Sequence, residues 1–455
     1  MPQTVLLNAS LLTMDDEGRQ YDDGAILIDG DRIVSIGKTA DLLPELESQV
    51  EQIDLRGRWI LPGLINTHVH TSQQLGRGLA DDVDLLTWLR ERIWPYESHL
   101  SEEDSILSTL LFGLEQIRSG VTCFSEAGGQ HVNGMGRAVS ELGLRATLAR
   151  SNVDIGDGLP PAWQQSTDEA LARQMDLFER WHGQADGRIR YWFCLRTIFN
   201  NSDELIVHTK ELADQYETGI QMHVAEIQEE NGYAIDTRGA STVRHLHNLG
   251  ALGPNLLAAH AVWLDEEEIA LLAEHGVKVS HCPAAAMRVL GFARIPEMLE
   301  AGICVTIGTD SPPSNNRSTL VDEMWLTTLI HKGRLLDPTT MPVQTILTMV
   351  TRQAAKALRW DETIGSLEAG KKADLMIVDP NTANMLPLHD PVANLVNAMQ
   401  AHNVESVMVD GRWLMRDRHI LTVDEAAILA EAKERAAAIA DRAGVQLPDR
   451  FNRIL

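Results

Sequence analysis

Cysteine is scarce. The four in 455 residues, Cys123, Cys194, Cys282 and Cys304, lie far apart and form no C-x-x-C pair. That spacing excludes a disulfide framework and fits reduced core cysteines of a cytosolic protein. No apolar run reaches the roughly 18 residues that a membrane-spanning helix needs. The opening Met1-Pro-Gln-Thr-Val-Leu-Leu7 lacks the basic and long apolar regions of a signal peptide, so a cytoplasmic location is expected. Positive charge is also short: 39 Lys and Arg stand against 65 Asp and Glu, a formal net charge of -26. Such a surface repels nucleic acid and anionic membranes, so neither is an expected partner, and it favours solubility. Internal repeats and low-complexity linkers are absent too.

What is present is an ordinary globular composition, 44% hydrophobic and 23% charged. The length suits one large domain plus a smaller one. Residues 1–57 carry short β-branched runs, such as Ala25-Ile-Leu-Ile28 and Arg32-Ile-Val-Ser-Ile36, parted by turns at Asp29-Gly30-Asp31 and Gly37-Lys38. From Trp59 the pattern changes. Eight apolar strands are expected, at Trp59–His70, Val121–Ala127, Arg145–Ser151, Arg188–Leu195, Gly219–Ala225, Leu256–Val262, Val277–Pro283 and Cys304–Asp310. Amphipathic segments such as Glu102–Arg118, Asp168–His182 and Asp203–Tyr216 lie between them. Alternation of this kind predicts a parallel sheet buried on both faces, closed as a barrel.

The tail returns to strands at Leu375–Asp379, Val404–Val409 and Arg412–Met415, then ends in a surface helix from Glu425 to Ala443. The expected fold is therefore α/β: a (β/α)8 TIM barrel over 58–364, with a small β-sandwich domain built from both chain ends, 1–57 and 365–455.

In such a barrel the reacting groups sit at the C-terminal ends of the strands. Strand one ends in His68 and His70, which share a face because strand side chains alternate with period two. Taken alone, that pair is either a chance feature of a core strand or half of a metal site. Strand five ends in His223 with Glu226 three residues on, strand six in His260, strand seven in His281 and strand eight in Asp310. Metal-competent residues at five of eight strand ends favour the metal site. His68, His70, His223 and Asp310 suit one divalent cation, Zn2+ first and Fe2+ as the alternative, with room for a water. Asp310 can take a proton from that water, Glu226 can carry one to a ring nitrogen, and His260 can polarise the nucleophile. Strand four ends in Phe193-Cys-Leu-Arg-Thr197 without a lysine to bridge a second metal, so one is expected.

These motifs resemble the amidohydrolase superfamily, in its branch of aminohydrolases acting on purines, pterins and s-triazines. The resemblance rests on Asn66-Thr-His-Val-His70, His223-Val-Ala-Glu226, His260-Ala261, His281-Cys-Pro283, Gly308-Thr-Asp310 and Gly365-Ser-Leu-Glu-Ala-Gly-Lys-Lys-Ala-Asp374. It covers nearly the whole chain. It implies the same ligand set, Glu226 and His260 as acid–base groups, and a homodimer or higher homo-oligomer. The stretch from Leu75 to Glu97 is similar to the loop and helix of the 5-methylthioadenosine/S-adenosylhomocysteine deaminases. There Glu97 would hold the ribose hydroxyls and Trp88 would line the pocket, with His281 also on the substrate side. Arg77 reads as a loop salt bridge or as part of that pocket.

Three stretches depart from the nucleoside-deaminase pattern: Leu195-Arg196-Thr197-Ile198-Phe199, Ala284-Ala285-Ala286-Met287 and Ser311-Pro312-Pro313. Arg196 either binds an anionic or carbonyl group of the substrate or pairs with Glu126 or a nearby Asp. The expected function is a metal-dependent hydrolytic deaminase of an amino-substituted N-heterocycle, a small molecule. Candidates are a purine nucleoside such as 5-methylthioadenosine or S-adenosylhomocysteine, or a guanine or pterin base. The alternatives are an s-triazine hydrolase releasing chloride or alkylamine and a non-catalytic scaffold, which would have lost ligands.

Overall fold

The computed structural model describes residues 3–46 and 48–445. Residues 446–455 of the expected sandwich segment, together with 1–2 and 47, lie outside the described residues. No helix among the described residues is long and apolar enough to cross a membrane.

Eight short buried strands run parallel. In order they are Leu64–Val69, Val121–Glu126, Arg145–Leu148, Ile189–Tyr191 continued as Phe193–Leu195, Ile220–Val224, Leu256–His260, Lys278–His281 and Cys304–Ile307. Strand four is broken at Trp192. Its first half pairs with strand three and its second half with strand five, so the hydrogen bonding forms two arcs. The arcs meet through the parallel bridges Asn152↔Leu195 and Val69↔Asp310, which complete the barrel. At the second of these junctions Asp310 N donates to His68 O at 2.9 Å. The Thr67 hydroxyl lies 2.7 Å from Ser280 Oγ and 2.8 Å from Thr306 Oγ1, tying strands one, seven and eight together.

The surrounding helices form where amphipathic spacing and caps coincide. Glu102–Arg118, Thr167–Trp181 and Glu266–Glu274 each open on a capping box, Ser101 with Asp104, Ser166 with Glu169 and Asp265 with Glu268. Each box satisfies two otherwise orphaned N–H groups.

The chain ends meet in one nine-stranded sheet. Its order runs His419–Ile420, Arg412–Arg416, Val404–Val409, Leu375–Val378, Trp59–Pro62, Thr4–Leu12, Gln20–Asp29, Arg32–Lys38, with Glu51–Asp54 also paired to Thr4–Leu12. A separate apolar core, including Leu6, Leu11, Ile26, Ile60, Leu375 and Met408, lies within it. The layers of the expected sandwich are thus one continuous hydrogen-bonded sheet.

The expected first barrel strand, Trp59–His70, is really two. Trp59–Pro62 belongs to the outer sheet and pairs antiparallel with Leu375–Val378, while Leu64–Val69 belongs to the barrel. The division falls at Gly63, where a Cβ would lie 2.1 Å from Thr122 Oγ1, so no larger residue fits the close approach.

One buried cation joins the two bodies. Arg145, on barrel strand three, donates to Asp374 at 2.9 and 3.1 Å and to Asp410 at 2.6 Å. Its side chain is 1% exposed. Removing one partner from such a cluster leaves buried charge uncompensated. Arg145→Met is expected to lower the unfolding free energy by roughly 3–5 kcal/mol, read from urea denaturation.

Candidate active site

Five of the expected residues converge at the C-terminal rim. His70 and His68 leave strand one, His223 leaves strand five, His260 is the last residue of strand six and Asp310 follows strand eight. The backbone there is turned sharply. His260 (φ 70°), Ala261 (48°), Ala225 (48°) and Asp310 (59°) all occupy the left-handed region, which costs non-glycine residues energy and clusters at functional sites.

The spacing is that of a cation's ligands. Ligand atoms about 2.1 Å from one tetrahedral ion lie about 3.4 Å from each other. Here His223 Nε2 is 3.3 Å from His70 Nε2, and Asp310 Oδ1 is 3.6 Å from Nε2 of both His68 and His70. His223 Nδ1 donates to the Arg196 carbonyl at 2.9 Å, which leaves Nε2 as a lone pair facing His70. Both ring nitrogens of His68 and of His260, and Nδ1 of His70, are buried without a hydrogen-bond partner among the described residues. Burial, then the neighbouring positive groups, holds the His70 and His223 imidazoles well below the ordinary histidine pKa, so they are neutral donors. Burial pushes the Asp310 carboxyl up, but contact with His68 and the facing rings of His260, His68 and His70 outweigh it and hold it well below the usual range. Neutral imidazoles facing a carboxylate with unsatisfied lone pairs fit a divalent metal.

Two acid–base groups stand beside this cluster. Glu226 Oε1 is 3.6 Å from His260 Nε2. Burial, then the charges of Asp310 and Glu230, lifts the Glu226 carboxyl well above its ordinary value. Burial lowers His260 to about 4. This puts a carboxyl that holds its proton more tightly than usual next to an imidazole that is neutral at pH 7.

A cavity of about 350 Å3 opens over the cluster. His70, His223, Glu226, Asp310, Arg196 and Ser314 supply polar lining, and Trp88, Trp94, Phe199, Tyr233, Ile155 and Leu290 much of the apolar lining. Trp88 is thus at the cavity, as expected. Glu97 is buried outside the lining, with one oxygen accepting from Gln73 at 2.9 Å and the other without a hydrogen-bond partner among the described residues. His281 also lies outside the lining, its Nε2 3.3 Å from His331 Nε2.

Arg77 makes an ion pair with Glu115, the loop salt bridge anticipated for it. Arg196 does not pair with Glu126. That carboxylate instead accepts from Thr71 N and Gly128 N, while the Arg196 guanidinium donates to Ser151 Oγ at 3.4 Å and its charge acts on Glu97 and Glu226.

Several contributors had no sequence signal of their own. Ser314 donates to Asp310 Oδ2 at 2.9 Å. Glu323 accepts from Ala284 N at 3.0 Å and Asn315 Nδ2 at 2.6 Å, and Glu230 accepts from Ala225 N and Glu226 N. On a helix's first turn such a glutamate looks like an ordinary macrodipole partner. Only the tertiary fold turns it inward.

Residues 59–414 match the amidohydrolase family. The chain belongs to that family, and with relatives named as deaminases it is a hydrolase acting on carbon–nitrogen bonds. It is 37% identical over 414 residues to a 5'-deoxyadenosine deaminase of Methanobrevibacter smithii, covering 90% of this chain and 92% of that one. It is 36% identical over 443 residues to a 5-methylthioadenosine/S-adenosylhomocysteine deaminase of Pelotomaculum thermopropionicum, covering 97% and 100%. Among solved structures, an adenosine deaminase from Xanthomonas campestris with bound zinc superposes with a TM-score of 0.91 at 29% identity, covering 97% and 99%. The atrazine chlorohydrolase of Arthrobacter aurescens complexed with zinc superposes with a TM-score of 0.87 at 26% identity, covering 95% and 100%.

The buried glutamates make stability depend on pH. Burial raises Glu323 from 4.5 to about 8. Between those values the folded carboxyl keeps its proton while the unfolded one has lost it, so stability falls as pH rises. From this group alone the expected slope between pH 5 and 8 is roughly 1.4 kcal/mol lost per pH unit. Glu323→Gln is expected to flatten that part of the profile, measured by urea unfolding at pH 5, 6.5 and 8.

Proposed function

We propose that the chain is a metal-dependent hydrolytic deaminase of an adenosine-type nucleoside, in which water replaces the exocyclic amine and ammonia leaves. The observation that carries this is Glu226, whose proton burial holds more tightly than usual, 3.6 Å from His260 and on one cavity with His70, His223 and Asp310. The names of the relatives, deaminases of 5'-deoxyadenosine and of 5-methylthioadenosine and S-adenosylhomocysteine, support the nucleoside.

His68, His70, His223 and Asp310 would hold one cation, Zn2+ or, failing that, Fe2+. Such a cation supplies charge that lowers the pKa of a water in the site from ~16 towards ~7. Asp310 accepts the proton of the attacking water. Glu226 gives its proton to the ring nitrogen next to the carbon under attack, so negative charge does not build up on the ring. His260 orients the nucleophile from the other side. The amine departs with the proton that Asp310 took, the second proton of the attacking oxygen passes to Glu226 as the carbonyl forms, and the balance is heterocyclic amine plus water to oxo-heterocycle plus ammonia. The cavity's aromatic residues stack the base. Trp88 and Arg196 face the rest of the substrate, and Glu97 lies behind them as the candidate ribose partner.

A second function fits the same residues: hydrolysis of an s-triazine with release of chloride or alkylamine. It draws on the likeness to atrazine chlorohydrolase and on the altered segment at Arg196. A panel of 5'-deoxyadenosine, 5-methylthioadenosine, S-adenosylhomocysteine, guanine, a pterin and chloro- and aminotriazines separates the two by ammonia against chloride release. No ammonia from any of these with metal-replete protein would overturn the deaminase.

Two variants test the roles. Glu226→Gln is expected to lower kcat by roughly 10^2–10^4-fold with its metal retained. Asp310→Ala is expected to lose both turnover and bound metal, the latter read by elemental analysis.

A further inference from the structure

Glu226 has to be aimed, and its own carboxyl is not tied down: among the described residues no hydrogen bond holds it, and His260 at 3.6 Å is beyond hydrogen-bond reach. Its direction is therefore set by its backbone. That backbone is a tight turn between strand five and the helix Gln228–Arg238, with Ala225 in the left-handed region at φ 48°. A non-glycine residue stays there only when the surroundings hold it.

The holder is Glu230. It lies on the helix's first turn yet is only 1% exposed. Its carboxylate turns back over the strand end, one oxygen accepting from Ala225 N at 2.8 Å and the other from Glu226 N at 2.9 Å. These are two successive backbone donors, gripped by one group. The same turn supports the next strand end: Ala225 O accepts from Val262 N at 3.1 Å and Trp263 N at 2.9 Å, and Val224 O accepts from Ala261 N at 3.1 Å, beside His260. Glu230 lies outside the cavity lining, so it touches neither substrate nor the reacting atoms.

We propose that Glu230 is a positioning residue of the reaction, holding the Ala225–Glu226 turn so that the Glu226 carboxyl meets the substrate ring and His260. The role rests on the acid–base assignment of Glu226 above. Glutamine at position 230 keeps the shape but presents an amide N–H to one of the two backbone donors, which breaks half of the grip.

The test is a double-mutant cycle of Glu226→Gln and Glu230→Gln in the full-length metal-loaded protein, assayed with whichever substrate the wild type turns over. Glu230→Gln is expected to lower kcat by about 10-fold or more, since a buried backbone donor loses its partner, with KM within about 2-fold. Metal content should be unchanged. In the Glu226→Gln background the same change is expected to cost under about 2-fold, because the group it positions is already disabled. Glu230→Asp, which keeps the charge but cannot span both donors, should fall between wild type and Glu230→Gln, and it carries the test if the glutamine variant does not fold. Equal losses in both backgrounds, a loss confined to KM, or wild-type kcat in the Glu230 variants overturns the proposal. Full activity in Glu226→Gln alone would instead overturn the acid–base assignment.

Discussion

The closure of the barrel between strands one and eight is the constraint on which the rest depends. These strands are about 240 residues apart in sequence, as the Thr67 hydroxyl contacts show, yet the Asp310 N–H bonds directly to the His68 carbonyl. Gly308 makes the approach possible: a Cβ there would lie 2.7 Å from His68 Cβ. Once the ring is shut, His68, His70 and Asp310 share one small volume, with His223 and His260 across from them. The site is thus a property of closure and of no single segment. It needs no flexible loop to bring these side chains together, and His68, His70 and His223 come from regular strands or the residue just past one. Rigid elements of this kind hold reacting groups more tightly than loops do.

Closure alone leaves the strand ends strained, and buried carboxylates hold them. Glu126 grips the residues after strands one and two, Glu230 those after strand five, and Glu323 links the segments after strands seven and eight. Burial raises Glu126 and Glu230 to about 7 and Glu323 to about 8. A buried acid is a poor choice for stability alone. It is a good choice where a backbone N–H must be held off its regular ladder, because a carboxyl offers two acceptors on a short arm. Stability given up at such places is a recurrent feature of working sites.

Much of this was legible in the sequence, for identifiable reasons. The metal-competent residues stood out because a parallel barrel sends every strand end to one rim, so residues scattered from 68 to 310 could be read together. Helices such as Glu102–Arg118 were legible because their caps and apolar spacing are local. What stayed hidden depends on distant partners. The break at Gly63 is set by Thr122, and Arg145 gives no hint of Asp374 and Asp410, 229 and 265 residues further on. Arg196 was offered a carboxylate partner in Glu126, but that carboxylate is occupied by backbone donors. Glu97 and His281 were legible as residue types, but that both lie outside the cavity lining is set by side-chain direction, which residue type does not give.

The continuous outer sheet has a bearing on how the molecule comes into being. A chain emerging from the ribosome presents Trp59–Pro62 early, and its neighbour Thr4–Leu12 is already available on one side. Its other neighbour, Leu375–Val378, appears only after more than 300 further residues. Arg145 waits 229 and 265 residues for its counter-charges. Through most of translation the barrel's first strand is therefore leashed to a half-finished sheet, and a guanidinium destined for burial is still unpaired. The segment from Asp374 to Asp410 acts as a latch: it extends the sheet and supplies the counter-charges of Arg145. The order of strands in this sheet thus departs from their order in the sequence, and Trp59–Pro62 sits where a locally paired group of strands meets one more than 300 residues away.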